Sequence, residues 1–497
     1  MENEMPQFAT QEALETFLKD DTNPQLAEER KQLKSLSLNA EYFTALPPEI
    51  AKLVNLELLD LQDSRVSSLP GELGQLSKLR LLDLSNTCIR TLPAELGQLT
   101  NLEVLDIQTT NVTELPKVIC ELTNLQTLVM GNNFIEKIPP EVSQLVNLTK
   151  LDLSLSDNVP AGIEQFPRLE TLELLAADFP DFPVELTKVK QLKNLNLRYA
   201  EVINFPPEFG NLTNLQSLNL SRTIFSELPP EIGKLTNLKT LDLSRCKIKT
   251  LPAEIGNLKK LEILLIQQST LKELPPEIGQ LANLEQLYLD HSRLKSLPPE
   301  ISQLTKLQLL DLNSTEVDLL PPEIGQLQSL ELLKCNYLNF KELPKEIQQL
   351  QNLQYIVLSN TRLESFPEEL LSLANLRGIS IKGTRIKELP EELVNLKNLK
   401  QLDIEKTSIW EVPDEIENMP GLEIKKPSRA PSIRAQYSRS SLLKTGDVIG
   451  NQGVDLDMMG HFGTDTQQEE TQVKQTLAIF FDELGFTIKT NTPDETT

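Results

Sequence analysis

Apolar residues recur along this chain in the spelling L-x-x-L-x-L. The spelling opens at Leu33, Leu56, Leu79, Leu102, Leu125, Leu148, Leu169, Leu192 and Leu215, then at Leu238, Leu261, Leu284, Leu307, Leu330, Leu353, Leu376 and Leu399. Leu422 opens a truncated copy. A second series, an apolar residue followed by proline, begins at residues 46, 69, 92, 115, 138, 159, 182, 205, 228, 251, 274, 297, 320, 343, 366, 389 and 412. Every step is 23 residues except that from 138 to 159, which is 21. In "LKTLDLSRCKI", Leu241 and Leu243 alternate with Asp242 and Ser244, which predicts a short strand with Leu238, Leu241, Leu243 and Ile248 facing inward. Pro229 lacks an N–H and fixes φ, so it ends pairing. Pro230-Glu231-Ile232-Gly233 then predicts a short helical or 3₁₀ turn that buries Ile232 and Leu235. Glu231 falls at the positive end of that turn. The same slot holds Glu in 15 of the 17 copies, so much of the acidity belongs to the scaffold.

This spelling resembles the leucine-rich repeat over residues 33 to about 424, and "LPPEIG" resembles the 23-residue class of the animal Ras-pathway scaffold and its plant and bacterial relatives. The resemblance implies an α/β fold: a right-handed leucine-rich-repeat solenoid, or horseshoe, with a concave parallel β-sheet and short 3₁₀ or helical turns on the convex side. About 17 full repeats fill residues 33–424. Such a stack needs covered ends. Residues 1–32 are expected to form an N-terminal helical cap, with helices starting at Thr10 and at Asn23-Pro24. The ninth position of the unit, often Asn in this family, holds small residues such as Thr87, Thr223, Cys246 and Ser292. Their buried hydroxyls are expected to bond the neighbouring turn's backbone. Residues 425–465, basic and then glycine-containing, read as a disordered linker, and 466–497 as an amphipathic helix and tail. Thr466 to Glu469 spells a capping box, and Val473, Leu477, Phe480, Phe481 and Leu484 form one apolar stripe. The helix over 466–486 either covers the solenoid or serves a partner or a second copy.

Composition narrows the function classes. The 497 residues carry a net charge of −24, which argues against general affinity for nucleic acid or an anionic membrane. No run of 18 apolar residues predicts a membrane span, and the acidic start does not read as a signal peptide. Four widely spaced cysteines read as free thiols, so the expected location is cytoplasmic. The two histidines, His291 and His461, are too few for a histidine metal site or triad, and no P-loop is present. No catalytic residue, metal or cofactor is expected; the chain reads as a non-enzyme.

Outward strand positions remain to carry a message. The N-terminal copies present Asp60, Asp83, Asp106, Asp152 and Glu173 at one position, interrupted at Val129. On an open face these carboxylates are not expected to shift in pKa. Further on, Arg198, Tyr199, Arg222, Arg245, Tyr288, Asp290, His291, Lys334, Tyr337 and Tyr355 supply interface-type side chains, and we take them as the candidate protein-binding face. Tyr199, Arg222 and Arg245 share one position and should stack about 5 Å apart. The short copy is expected to drop its Glu-Ile-Gly turn and to set Leu155, Leu175 and Ala176 outward beside a kink. The expected function is a protein-binding scaffold, with a small GTPase as the partner that the family resemblance implies. A secreted bacterial effector or surface recognition module, and self-association through the 466–486 helix, stay open.

Overall fold

The computed structural model describes residues 8 and 10–427. The predicted linker beyond Pro427 and the 466–497 segment lie outside them.

Eighteen three-residue strands, numbered β1 (Ser35–Ser37) to β18 (Glu423–Lys425), form one parallel sheet. Each pairs with the next in register, one repeat apart: Leu36 with Leu59, Leu241 with Leu264, Leu402 with Ile424. The truncated copy supplies the eighteenth strand. Strands stay this short because the chain turns left-handed three residues after nearly every one, as at Arg222 (φ 61°) after Asn219. Pro229, ten residues past the strand, does not end pairing as expected but caps the return turn. After Pro229 the chain makes a 3₁₀ turn, Pro230–Lys234, that buries Ile232 and Gly233. The inward leucines of all copies merge into one continuous core.

Two devices hold neighbouring copies together at their turns. Gly74, Gly233, Gly256, Gly279 and Gly325 lie where the next copy's glutamate carbonyl approaches most closely; a Cβ on Gly279 would stand 2.4 Å from the Glu300 oxygen. The asparagine of the recurring "NL" forms a convex-side ladder. Asn237 Nδ2 donates to the Thr213 carbonyl at 2.8 Å, and Asn283 Nδ2 to that of Lys259 at 2.7 Å. The ninth-position threonines do not bond the neighbouring turn's backbone as expected, although Cys246 Sγ does, donating to the Leu220 carbonyl at 3.0 Å. Thr223 and Thr315 donate to Leu220 and Leu312 of their own turn, at 2.6 and 2.9 Å. Across copies the threonine hydroxyls meet side chains, as Thr110 does in donating to Asn133 Oδ1 at 2.9 Å, and Asn133 itself reaches the previous copy's Ile107 carbonyl at 2.6 Å.

The N-terminus carries two helices, α1 (Gln11–Lys19) and α2 (Pro24–Gln32), which begin as the spelling predicts. Thr10 accepts from the Ala13 N–H, and Pro24 follows the Asn23 cap. Leu14 and Leu18 of α1 are fully buried. Arg30 of α2 is also buried and donates to the Phe17 carbonyl at 2.6 Å and to Asp21 at 3.1 Å.

The short copy keeps a reduced turn, Ile163–Gln165, entered through Gly162 at φ 94°. It is therefore shortened rather than dropped. Beyond it, Phe182, Phe205, Phe209 and Phe225 pack ring against ring with centroids 4.9 to 5.7 Å apart, in the copies that follow the short one.

Candidate functional site

The eighth residue of each unit sits just past the strand, at the rim of the concave face. In nearly every copy it adopts the left-handed conformation; Tyr199, Arg222, Arg245, His291 and Tyr337 have φ of 62°, 61°, 62°, 55° and 62°. This region costs an L-residue roughly 1–2 kcal/mol. The strand's outward Asp or Asn helps hold it. Asp242 accepts from the Ser244 N–H at 2.8 Å, Asn219 from Ser221 at 2.8 Å and Asn196 from Arg198 at 3.0 Å. The acidic rail is thus largely a turn-holding device: Asp83, Asp106 and Asp152 each accept in the same way from the residue two ahead, all at 2.8 Å.

Rim backbones lock in register between copies. The Tyr199 N–H donates to Ser221 (3.0 Å), that of Arg222 to Ser244 (2.8 Å) and that of Arg245 to Gln267 (2.7 Å). Arg198 and Arg222 close on the Tyr199 ring, with Cζ 5.0 and 4.7 Å from its centroid. The ring's negative π-cloud offsets the repulsion between guanidiniums that the stacking alone would create. Asp242 adds a partial counter-charge: burial raises its pKa, hydrogen bonds from Ser244 and Ser221 oppose that, and Arg198 pulls it down further. Leu155 and Leu175 of the two preceding copies remain 46% and 37% exposed, so an apolar step runs into an Arg-Tyr-Arg stack and on to exposed Arg245.

The other six candidates do not join this cluster. Asp290 and His291 sit on the rim two strands beyond Arg245, and Gln267 donates to Asp290 at 2.7 Å. Tyr337 is exposed on the rim further along. Tyr288 and Tyr355 lie half-buried on the sheet floor; the Tyr288 hydroxyl donates to Gln286 at 3.1 Å, and the Tyr355 ring lies against Gly378. Lys334 is corrected most. It is buried, with its Nζ 3.5 Å from Asp311, and is not an outward anchor. Burial pushes Asp311 up to about 6 while Lys334 pulls it back. From Tyr199 to Tyr355 the floor spans seven strand spacings, roughly 34 Å.

The open face also shifts carboxylates, contrary to expectation. Asp106 is pushed up to about 7, first by burial, against the Gln108 N–H, and further by Asp83 and Asp152. The four cysteines are free thiols; Cys120, Cys246 and Cys335 are buried and their pKa values are raised by burial, and Cys88 is exposed. Among the described residues no His/Cys/Asp/Glu group of three is placed to hold a metal, and no helix is long and apolar enough to cross a membrane.

Comparison with known proteins follows the same lines. No curated protein matches the chain. A leucine-rich-repeat protein of Leptospira interrogans has a solved structure that is 32% identical, covers 81% of this chain and 98% of its own, and superimposes with a TM-score of 0.64. The Drosophila Toll–Spätzle complex is similar at 19% identity and a TM-score of 0.61, over 75% of this chain and 57% of that one, and shares the fold alone. The leucine-rich repeat region pattern matches residues 14–109, 71–133, 105–205, 206–289 and 299–381. This fold is commonly a protein-protein interaction module and is generally non-enzymatic. The chain belongs to the leucine-rich repeat family.

Proposed function

We propose that this chain is a non-enzymatic protein-binding scaffold that captures a partner on the concave rim around Arg198, Tyr199, Arg222 and Arg245. The observation that carries the reading is the Tyr199 ring with two guanidiniums closed on it, on a strained, backbone-locked rim. Arg and Tyr are the residues that most often anchor interfaces, and here their geometry exists before any partner arrives. Leu155 and Leu175 add an apolar step beside them. A partner surface with carboxylates flanking an apolar side chain fits this order. A small GTPase as the partner, and a cytoplasmic signalling setting, rest on the repeat spelling alone. Arg222→Glu with Arg245→Glu is expected to abolish capture while far-UV circular dichroism and thermal unfolding stay unchanged. Unchanged capture by the double variant refutes the rim.

A further inference from the structure

The descending edge of the solenoid, below the rim, carries a charge pattern opposite to that of the whole chain. Three consecutive copies place residues 246–250, 269–273 and 292–296 side by side there, and these hold five bases, Lys247, Lys249, Lys272, Arg293 and Lys295, against one acid, Glu273. All five are exposed, and among the described residues none forms an ion pair. Lys249, Lys272 and Lys295 occupy one position. The Lys272 N–H donates to the Lys249 carbonyl at 3.0 Å, and that of Lys295 to Lys272 at 3.2 Å. Their side chains therefore leave the backbone in register, about 5 Å apart. Like charges so aligned are unfavourable unless an anion compensates them.

We propose that this lysine ladder is a second docking surface, and that its ligand is a short acidic helix of a partner protein. The spacing selects the ligand. Carboxylates at i, i+3 or i+4 on one helix face stand about 5–6 Å apart, close to the ladder's period. The ladder's length limits it. Glu201 and Glu227 stand in the copies before it and Glu316 and Asp318 in the copy after it, leaving three strands, or about 15 Å, of continuous positive edge. That length suits roughly ten residues of helix. It is too short to track the backbone of a nucleic acid duplex, and a protein of net charge −24 repels a long dense polyanion. The ladder lies outside the concave face, so one partner can grip the rim and lay an acidic helix along this edge, or two partners can bind side by side.

The test is fluorescence anisotropy with the full-length protein and a labelled helical peptide bearing Glu every three or four residues, with its Gln counterpart as reference. We expect the Glu peptide to bind and the Gln peptide not to. Affinity should fall as salt rises from about 0.01 M to 0.15 M and the Debye length shortens. Lys249→Gln with Lys272→Gln and Lys295→Gln should weaken binding about ten-fold. The same change at three exposed convex lysines, Lys188, Lys345 and Lys397, should leave it intact. Absence of binding, binding unaffected by the ladder triple, or tighter binding of duplex DNA or anionic vesicles through the same lysines would each overturn the proposal. Neither Arg222 nor Arg245 is changed, so failure here leaves the rim reading standing.

Discussion

Replacing Gly279 by alanine tests how closely neighbouring turns are packed. A Cβ built on Gly279 lies 2.4 Å from the Glu300 carbonyl oxygen, 3.0 Å from the Gln303 Oε1 and 3.0 Å from the Glu300 Cβ. The first contact is about 0.9 Å short of the ~3.3 Å at which carbon and oxygen meet comfortably. Gln303 can swing its amide away, but the Glu300 carbonyl belongs to a turn fixed by its own core residue, Ile301. The two copies must therefore separate locally. Overpacking of this kind costs about 1–3 kcal/mol, and the entropy gained by removing a glycine returns only about 0.4–1 kcal/mol. Gly279→Ala should destabilise in urea unfolding. Gly97→Ala is the built-in comparison. Its Cβ would meet the Glu121 Oε2 at 2.5 Å, the end of a flexible side chain, and the Val118 Cγ2 at 2.6 Å, a side-chain methyl rather than backbone. It should cost clearly less. If Gly279→Ala is as stable as the parent, or Gly97→Ala costs as much, the packing argument is wrong.

Two further outcomes follow from the same geometry. Asp106 binds its proton more tightly folded than unfolded, so its burden on stability is absent below the unfolded value near 3.8 and grows as pH rises to about 7. Asp106→Asn keeps an acceptor for the Gln108 N–H, as Asn196 and Asn219 do for their own turns. It should stabilise by roughly 1–3 kcal/mol at pH 8 and by little near pH 4; an equal effect at both would refute the shift. Ellman's reagent at pH 8 should label Cys88 rapidly and the other three cysteines only after denaturation, because burial suppresses their thiolates. Fast native labelling of Cys246 would contradict that.

The repeat was legible because each of its positions meets one environment in every copy. Leu238, Leu241 and Leu243 could only be core, and Pro230-Glu231-Ile232-Gly233 could only be a short turn. What escaped depends on neighbours one repeat away. The asparagine of "NL" looks like filler until its amide meets a carbonyl 24 residues earlier. The rim's left-handed backbone was hidden because Tyr199, Arg222 and Arg245 are not the glycine or asparagine that usually signal it. Lys334 reads as outward from its place in "LLK", and only the facing Asp311 shows why it is buried. Of the candidate face, the stacking of Tyr199 with Arg222 was visible as a shared position, but not the closure of Arg198 on the same ring. The lysine ladder was written in "IKTLP", "LKELP" and "LKSLP", three successive copies with lysine in one slot.

The rim reading is tested most directly by photo-crosslinking. A p-benzoylphenylalanine placed at Tyr199 keeps an aromatic ring beside the two guanidiniums, and the same residue at exposed Trp410 probes a site away from the rim. The account predicts that irradiation in a native extract gives a discrete protein adduct from position 199 and none of the same mass shift from position 410. It also predicts that Arg222→Glu with Arg245→Glu removes that adduct. An adduct formed only from position 410, or one from position 199 that survives both charge reversals, would contradict it.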